Sequence, residues 1–123
     1  MSTIADRKKI LTKGLSRDSI PAIQVLLNCG TAGSCSGGSI HAAFRWVHQN
    51  GGIPDVTCQQ YEAKDGECSA FNTCRNCDPS GECYAVDSYP KITISEYGRV
   101  IGDENIQREI MLRGPVACYL NSE

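Results

Sequence analysis

The stretch Leu27-Asn-Cys-Gly-Thr-Ala-Gly-Ser-Cys-Ser-Gly-Gly38 decides how this chain folds. Four of its last nine residues are glycine, so residues 30–38 are not expected to form a regular element. Glycine at this density marks a tight loop in which the backbone approaches another group closely. Helical apolar patterns flank the loop, and the sequence therefore predicts a helix, a glycine loop and a second helix.

The helix before the loop is predicted over residues 21–28, with Ser19 as a candidate N-cap and Pro21 in the first turn. The helix after it is predicted from residue 40 to about residue 50, with Ser39 as the N-cap and glycines at its end. Its apolar face is formed by Ile40, Ala43, Phe44 and Val47.

An earlier helix is predicted over residues 2–13, where Gly14 stops it. Residues 53–88 hold five cysteines among small polar residues and are predicted to be an irregular, crosslinked region. After residue 89 the pattern indicates a strand through Ile92 and Ile94, and then a helix that Asp103 caps and Gly114 ends. Residues 115–120 are predicted to begin a buried strand.

Composition and charge exclude several classes of function. The chain has 123 residues, 41% of them apolar and 21% charged, and its formal net charge is −2. A charge so close to zero argues against a general binder of nucleic acid or other polyanions. Residues 1–17 carry five basic residues against one acidic residue, which is typical of a solvated helix face. No apolar run is long enough to cross a membrane.

Eight cysteines in 123 residues indicate either a disulfide framework or metal ligation. The pair Cys74 and Cys77 has the spacing of a zinc or redox motif, but no second motif of this kind lies nearby, and turn residues surround it. Structural disulfides remain the best interpretation. The first ten residues are polar and do not resemble a signal peptide, so the sequence leaves open how the chain reaches an oxidising compartment.

The glycine loop resembles the "DCG…G-C-x-G-G" element of the papain-like cysteine peptidases. The resemblance extends along nearly the whole chain, through residues 5–7, 47–50, 52–55, 57–58, 61–65, 67–68 and 113–118. It also includes the spacing of the cysteines in the crosslinked region, which are Cys58, Cys68, Cys74, Cys77 and Cys83. Within the family, the sequence resembles the cathepsins with carboxypeptidase-like specificity.

The resemblance implies an α+β fold that corresponds to part of the papain-like fold. Residues 1–88 match the helical left domain with its disulfide-rich loops, and residues 89–123 match the start of the β-rich right domain, a strand, a helix and a strand. The implied disulfides are Cys29–Cys68, Cys58–Cys74 and Cys77–Cys83. Cys35 and Cys118 are left unpaired, because their partners in the family lie outside this sequence.

The resemblance also implies a substrate-binding wall without catalytic residues. The matching positions are Ser36, Gly37, Gly38, Ser39 and Ile40. The family nucleophile precedes position 1, and the catalytic His follows it by roughly 130–150 residues, which is beyond residue 123. The catalytic Asn also lies outside the sequence. His41 and His48 occupy positions that the family does not use for catalysis.

These matches predict a part of a cysteine-type peptidase that acts on peptides or proteins, without a metal, an organic cofactor, nucleic acid or a membrane. This chain alone is expected to be inactive. The resemblance implies a lysosomal or secretory location. Two alternatives remain open at this point, which are a short non-catalytic peptide-binding or inhibitory module and a disulfide-rich structural domain without a ligand.

Overall fold

The computed structural model describes residues 1–121, which form an α+β arrangement, as predicted. The helices are α1 (Ser2–Leu11), α2 (Ile23–Cys29), α3 (Ile40–Gln49) and α4 (Asp103–Arg113). The strands are β1 (Gly33–Ser34), β2 (Gly37–Gly38), β3 (Ile53–Pro54), β4 (Arg75–Cys77), β5 (Cys83–Ala85) and β6 (Lys91–Ile92). The strands have two or three residues each, and most of residues 53–88 is irregular, as expected from their turn-rich composition.

The strands form three antiparallel pairs, β1–β2, β3–β6 and β4–β5. The pairs β1–β2 and β4–β5 are local hairpins. The pair β3–β6 joins distant parts of the chain, since Ile53 lies opposite Ile92. This ladder therefore links the region after α3 to the segment that precedes α4.

The apolar core lies where α1, α3 and the β3–β6 pair meet. Four buried side chains form it: Ile4, Val47, Ile53 and Ile92. Leu26 from α2 and Phe44 from α3 pack against this cluster and are half-buried. The core thus holds α2 and α3, and with them both ends of the glycine loop.

The first two helices differ from their predicted bounds. α1 ends at Leu11, and Lys13 and Gly14 follow with positive φ values of 51° and 78°. α2 begins at Ile23 because the residues before it pair with the end of β3 and the residue that follows it: the Ala22 N–H donates to the Pro54 carbonyl at 2.9 Å, and Pro21 lies opposite Asp55. Ser19 is therefore not an N-cap, and its hydroxyl instead accepts a hydrogen bond from Lys8 Nζ at 2.8 Å.

The second half of the chain also departs from the expected elements. The hairpin β4–β5 was not predicted, and the strand after residue 89 is limited to β6. The predicted strand over 115–120 is absent from the described residues 1–121. A strand needs a neighbouring strand to bind its backbone groups, and this segment has none there, so residues 117–120 are exposed. Residues 122–123, the end of the predicted second unit, lie outside the described residues.

Arg7 connects α1 to α4 and to the segment that follows it. Its guanidinium forms an ion pair with Glu109 at 2.9 Å and donates to the carbonyls of Pro115 at 2.9 Å and Gly114 at 3.3 Å. These three contacts fix where the chain leaves α4. The segment 115–121 is thereby directed towards the glycine loop.

Among the described residues, the helices are too short and too polar to cross a lipid bilayer.

Candidate peptide-binding site

The glycine loop forms a tight two-residue hairpin between α2 and α3. Gly33 lies opposite Gly38, and Ser34 lies opposite Gly37, with Cys35 and Ser36 in the turn. A Cβ at Gly33 would collide with Gly38 Cα, and a Cβ at Gly38 would lie 2.7 Å from the Ala32 carbonyl oxygen. The hairpin closes only because glycines lie on both strands.

The outer edge of β2 carries backbone groups that do not pair with β1. The Ser39 N–H donates to the Ala32 carbonyl at 2.8 Å, so this residue faces β1. In an antiparallel pair, successive residues point their backbone groups to alternate edges, which places the N–H and C=O of Gly38 on the outer edge. Gly37 has a φ of 134°, and no described atom lies within 4 Å of a Cβ built on it. The approach to this edge from Gly37 is therefore open.

Ser39 follows the hairpin and is the N-cap of α3. Its side-chain oxygen accepts a hydrogen bond from the Ala42 N–H at 3.2 Å, which confirms the predicted N-cap. Ile40, the first residue of α3, donates its N–H to the hydroxyl of Tyr119 at 2.8 Å. The Tyr119 hydroxyl also donates to the Gly38 carbonyl at 3.4 Å. Tyr119 is a site residue that the sequence did not indicate, because no local pattern connects it to the loop.

A shallow cavity of about 280 Å³ lies beside the hairpin. Its lining includes apolar side chains from both flanking helices and backbone atoms of the loop, namely Leu26, Leu27, Ala32, Gly33, Ser34, Cys35, Gly37, Gly38 and Ala43. An apolar recess next to an open strand edge has room for a side chain of an extended peptide.

The crosslinked region is linked to the hairpin and to α2 by a disulfide and by hydrogen bonds. The structure contains the disulfides Cys29–Cys68, Cys58–Cys74 and Cys77–Cys83, which are the pairs that the family resemblance implies. The first of them joins the end of α2 to this region. Asp65, three residues before Cys68, accepts a hydrogen bond from the Cys35 N–H at 2.9 Å and so holds the hairpin turn.

Two side-chain amides of α2, the buried one of Gln24 and the half-buried one of Asn28, complete this attachment. Gln24 is 1% exposed, and its side-chain amide donates to the Lys64 carbonyl at 2.8 Å and accepts from the Glu62 N–H at 2.9 Å. Asn28 donates to the Asn72 carbonyl at 3.0 Å. Side chains of α2 thus bind the backbone of the crosslinked region on both sides of Asp65.

Cys35 and Cys118 are free and exposed. Desolvation, the charge of Asp65 and a hydrogen bond to Asp65 raise the pKa of the Cys35 thiol. A catalytic cysteine has the opposite character, since a neighbouring cation or helix N-terminus lowers the pKa of its thiol. The environment of Cys35 therefore does not favour the thiolate.

His41 and His48 lie on the exposed side of α3. Their rings pack against Tyr97, with centroid distances of 5.3 and 5.5 Å, and His48 Nε2 lies 3.1 Å from the Ser95 carbonyl oxygen. In the part of the chain that the structure describes, no cysteine is hydrogen-bonded to either ring. Within the same residues, no three His, Cys, Asp or Glu side chains are grouped closely enough to hold a metal ion.

The cysteine spacing after residue 57 resembles, within the papain-like peptidases, that of cathepsin X, which is also called cathepsin Z. Two comparisons agree with this resemblance. The sequence profile described as "Papain family cysteine protease" matches residues 1–123. The chain is 38% identical to "Cathepsin Z" of Onchocerca volvulus over 117 residues, which are 95% of this chain and 38% of that protein. The chain therefore spans well under half the length of this relative. Because the family profile matches all 123 residues, the chain belongs to the papain family of cysteine proteases.

Proposed function

We propose that this chain supplies the peptide-binding wall of a cathepsin Z-like cysteine peptidase. An extended peptide would pair with the outer edge of β2, where Gly38 presents its N–H and C=O, as a strand is added to a sheet. Gly38 presents this edge, Ser36 and Gly37 precede it in the hairpin, and Ser39 and Ile40 border it. The single observation that carries this proposal is the outward direction of the Gly38 backbone beside the open side of Gly37.

The whole protein would cleave peptide bonds through an acyl-thioenzyme, with carboxypeptidase-like specificity. That reaction needs a thiolate, a histidine that transfers protons and a group that orients the histidine. We place the catalytic Cys, His and Asn outside residues 1–123. Six of the eight cysteines are in disulfides, and the raised pKa of Cys35 disfavours it as a nucleophile.

The remaining family properties belong to the same proposal. The substrate would be a peptide or protein, the reaction would need no cofactor, and the location would be lysosomal or secretory. Residues 1–88 would belong to the helical domain and residues 89–123 to the start of the second domain. The β3–β6 pair would then be a connection between the two domains.

A second candidate is a non-catalytic peptide-binding or inhibitory module. One observation favours it: the hairpin, its supporting disulfide Cys29–Cys68 and the Asp65 contact are all present within this chain. Both candidates need the same wall, and they differ in whether catalytic groups act on the bound peptide.

Gly37→Ala tests the wall, with Gly81→Ala as its matched control. Both glycines have positive φ values, of 134° and 91°, and no described atom lies within 4 Å of a Cβ built on either, but Gly81 lies in the distant β4–β5 turn. The probe is a fluorescein-labelled, end-blocked tetrapeptide of alternating alanine and valine. We expect Gly37→Ala to weaken binding by about tenfold or more and Gly81→Ala to leave it unchanged.

Amide chemical shifts identify the binding position in the same titration. Shifts confined to Gly37, Gly38 and Ile40 agree with the proposal, whereas equal affinity of both variants and the parent chain contradicts it. The purified chain should not hydrolyse the probe. Hydrolysis that persists through purification would contradict the placement of the catalytic groups.

A further inference from the structure

The Tyr119 hydroxyl occupies hydrogen-bonding groups at the edge of the candidate wall. It accepts from the Ile40 N–H at 2.8 Å and donates to the Gly38 carbonyl at 3.4 Å. The Gly38 carbonyl is an acceptor that an added peptide strand would use. One phenol hydroxyl thus acts as acceptor and donor at the place where the hairpin meets α3.

The Ile40 N–H needs a hydrogen-bond acceptor that does not belong to α3. The first N–H groups of a helix have no partner within the helix, and the Ser39 cap serves the Ala42 N–H. An exposed N–H beside the outward Gly38 carbonyl forms a donor–acceptor pair. This pair suits either a hydroxyl group or the backbone of an extended peptide.

Tyr119 is attached to the wall through hydrogen bonds of its hydroxyl group. Its side chain remains 70% exposed, Leu120 is 86% exposed, and no helix or strand includes residues 114–121. The firm contacts of this segment are at its beginning, where Arg7 binds Gly114 and Pro115. Tyr119 is therefore kept near the wall by a short tether and is held on it through one hydroxyl group.

From these contacts we propose that Tyr119 is an intramolecular competitor of the peptide at the Gly38 edge. The proposal rests on the proposed function, since it assumes that a peptide pairs there. A peptide must displace the hydroxyl before it can use the Gly38 carbonyl. The apparent affinity of the peptide is therefore its intrinsic affinity multiplied by the fraction of molecules in which Tyr119 has left the edge. The contact is an autoinhibitory device built from residues of this chain.

Tyr119→Phe tests the competition because it removes the hydroxyl and keeps the ring. Tyr84→Phe is the matched control: Tyr84 is 54% exposed, and its hydroxyl accepts from Asn76 Nδ2 at 3.1 Å on the distant β4–β5 hairpin. The oxidised 123-residue protein is titrated with the labelled alanine–valine tetrapeptide. We expect Tyr119→Phe to bind it about three- to tenfold more tightly, and Tyr84→Phe to bind like the parent.

A second measurement follows the displacement directly. In the parent chain, the peptide should move the Tyr119 ring resonances towards those of a solvent-exposed tyrosine, as it shifts the Gly38 and Ile40 amides. Equal affinity of Tyr119→Phe and the parent, with unmoved Tyr119 resonances, overturns the competition while the proposed wall stands. A peptide that binds neither protein overturns the wall and the competition together.

Discussion

The carboxylate of Asp65 binds the backbone of Cys35 in the hairpin turn and, together with desolvation, raises the pKa of its free thiol. It accepts the Cys35 N–H at 2.9 Å, and its charge contributes to the raised pKa of the thiol. A nearby negative charge opposes formation of the thiolate, which is the reactive form of cysteine. Cys35 is exposed, but its raised pKa lowers the fraction of thiolate and so reduces its reactivity.

Asp65→Asn should lower the pKa of the Cys35 thiol. The amide oxygen can still accept the Cys35 N–H, so the substitution removes the charge and keeps the turn. In a Cys118→Ser background, the rate of reaction with a disulfide reagent near neutral pH should rise roughly two- to threefold.

The control is Asp87→Asn, a charge removal at an exposed position away from the hairpin. It should leave the rate of thiol modification unchanged. An unchanged or slower reaction of Asp65→Asn would show that desolvation alone controls the thiol.

At the scale of the elements, α3 is the support on which the wall rests. Its Ser39 cap joins the outer residues of the hairpin to the first turn of the helix, and Val47, about two turns further along α3, is fully buried in the core. The hairpin is thus attached to a helix with a defined beginning and a fixed rotation. This arrangement positions the Gly38 edge without large apolar side chains in the loop.

Ser39→Ala should destabilise the chain by about 1 kcal/mol, because the Ala42 N–H loses its acceptor at the helix start. Urea denaturation of the oxidised protein measures the free energy of unfolding. Ser88→Ala, at an exposed position outside the helices and strands, is the control and should cause no measurable change. A loss as small for Ser39→Ala as for the control would mean that the cap does not stabilise α3.

Elements that are stabilised by residues within a few positions could be predicted from the sequence, and elements that depend on distant residues could not. α3 and its cap were predicted correctly, because Ser39 and the periodic apolar residues act within the helix itself. The start of α2 was wrong, because Ala22 is bound by the Pro54 carbonyl, and nothing in residues 19–24 indicates that partner. The hairpin β4–β5 was missed because turn-rich segments do not show the alternation that marks longer strands.

At the scale of the whole molecule, disulfides compensate for a small core. Among the described residues, the buried apolar cluster contains Ile4, Val47, Ile53 and Ile92, and none of the disulfide-bonded cysteines belongs to it. The disulfide Cys29–Cys68 closes a loop with a sequence separation of 39, and Cys77–Cys83 closes one with a separation of 6. Chain entropy predicts a larger stabilisation for the longer loop.

Replacement of each pair by alanine tests this order. We expect Cys29→Ala/Cys68→Ala to lose about 4 kcal/mol of unfolding free energy, and Cys77→Ala/Cys83→Ala about 2 kcal/mol. Urea denaturation with near-UV circular dichroism measures both. Cys118→Ser is the control, because that thiol is free and exposed. A greater loss for the short loop would contradict the entropic account and indicate strain or local packing as the cause.

The sequence by itself determined the family, the α+β class, the glycine loop and the capped helix after it. The family and the α+β class follow from a resemblance that runs along nearly the whole chain, whereas the loop and the helix depend on backbone preferences that act within a few positions. Only the tertiary structure decided that β3 pairs with β6, that residues 115–120 form no strand within 1–121, and that the Tyr119 hydroxyl lies on Gly38. Each of these depends on which distant group satisfies a backbone donor or acceptor, and that choice is made by the packing of the whole chain.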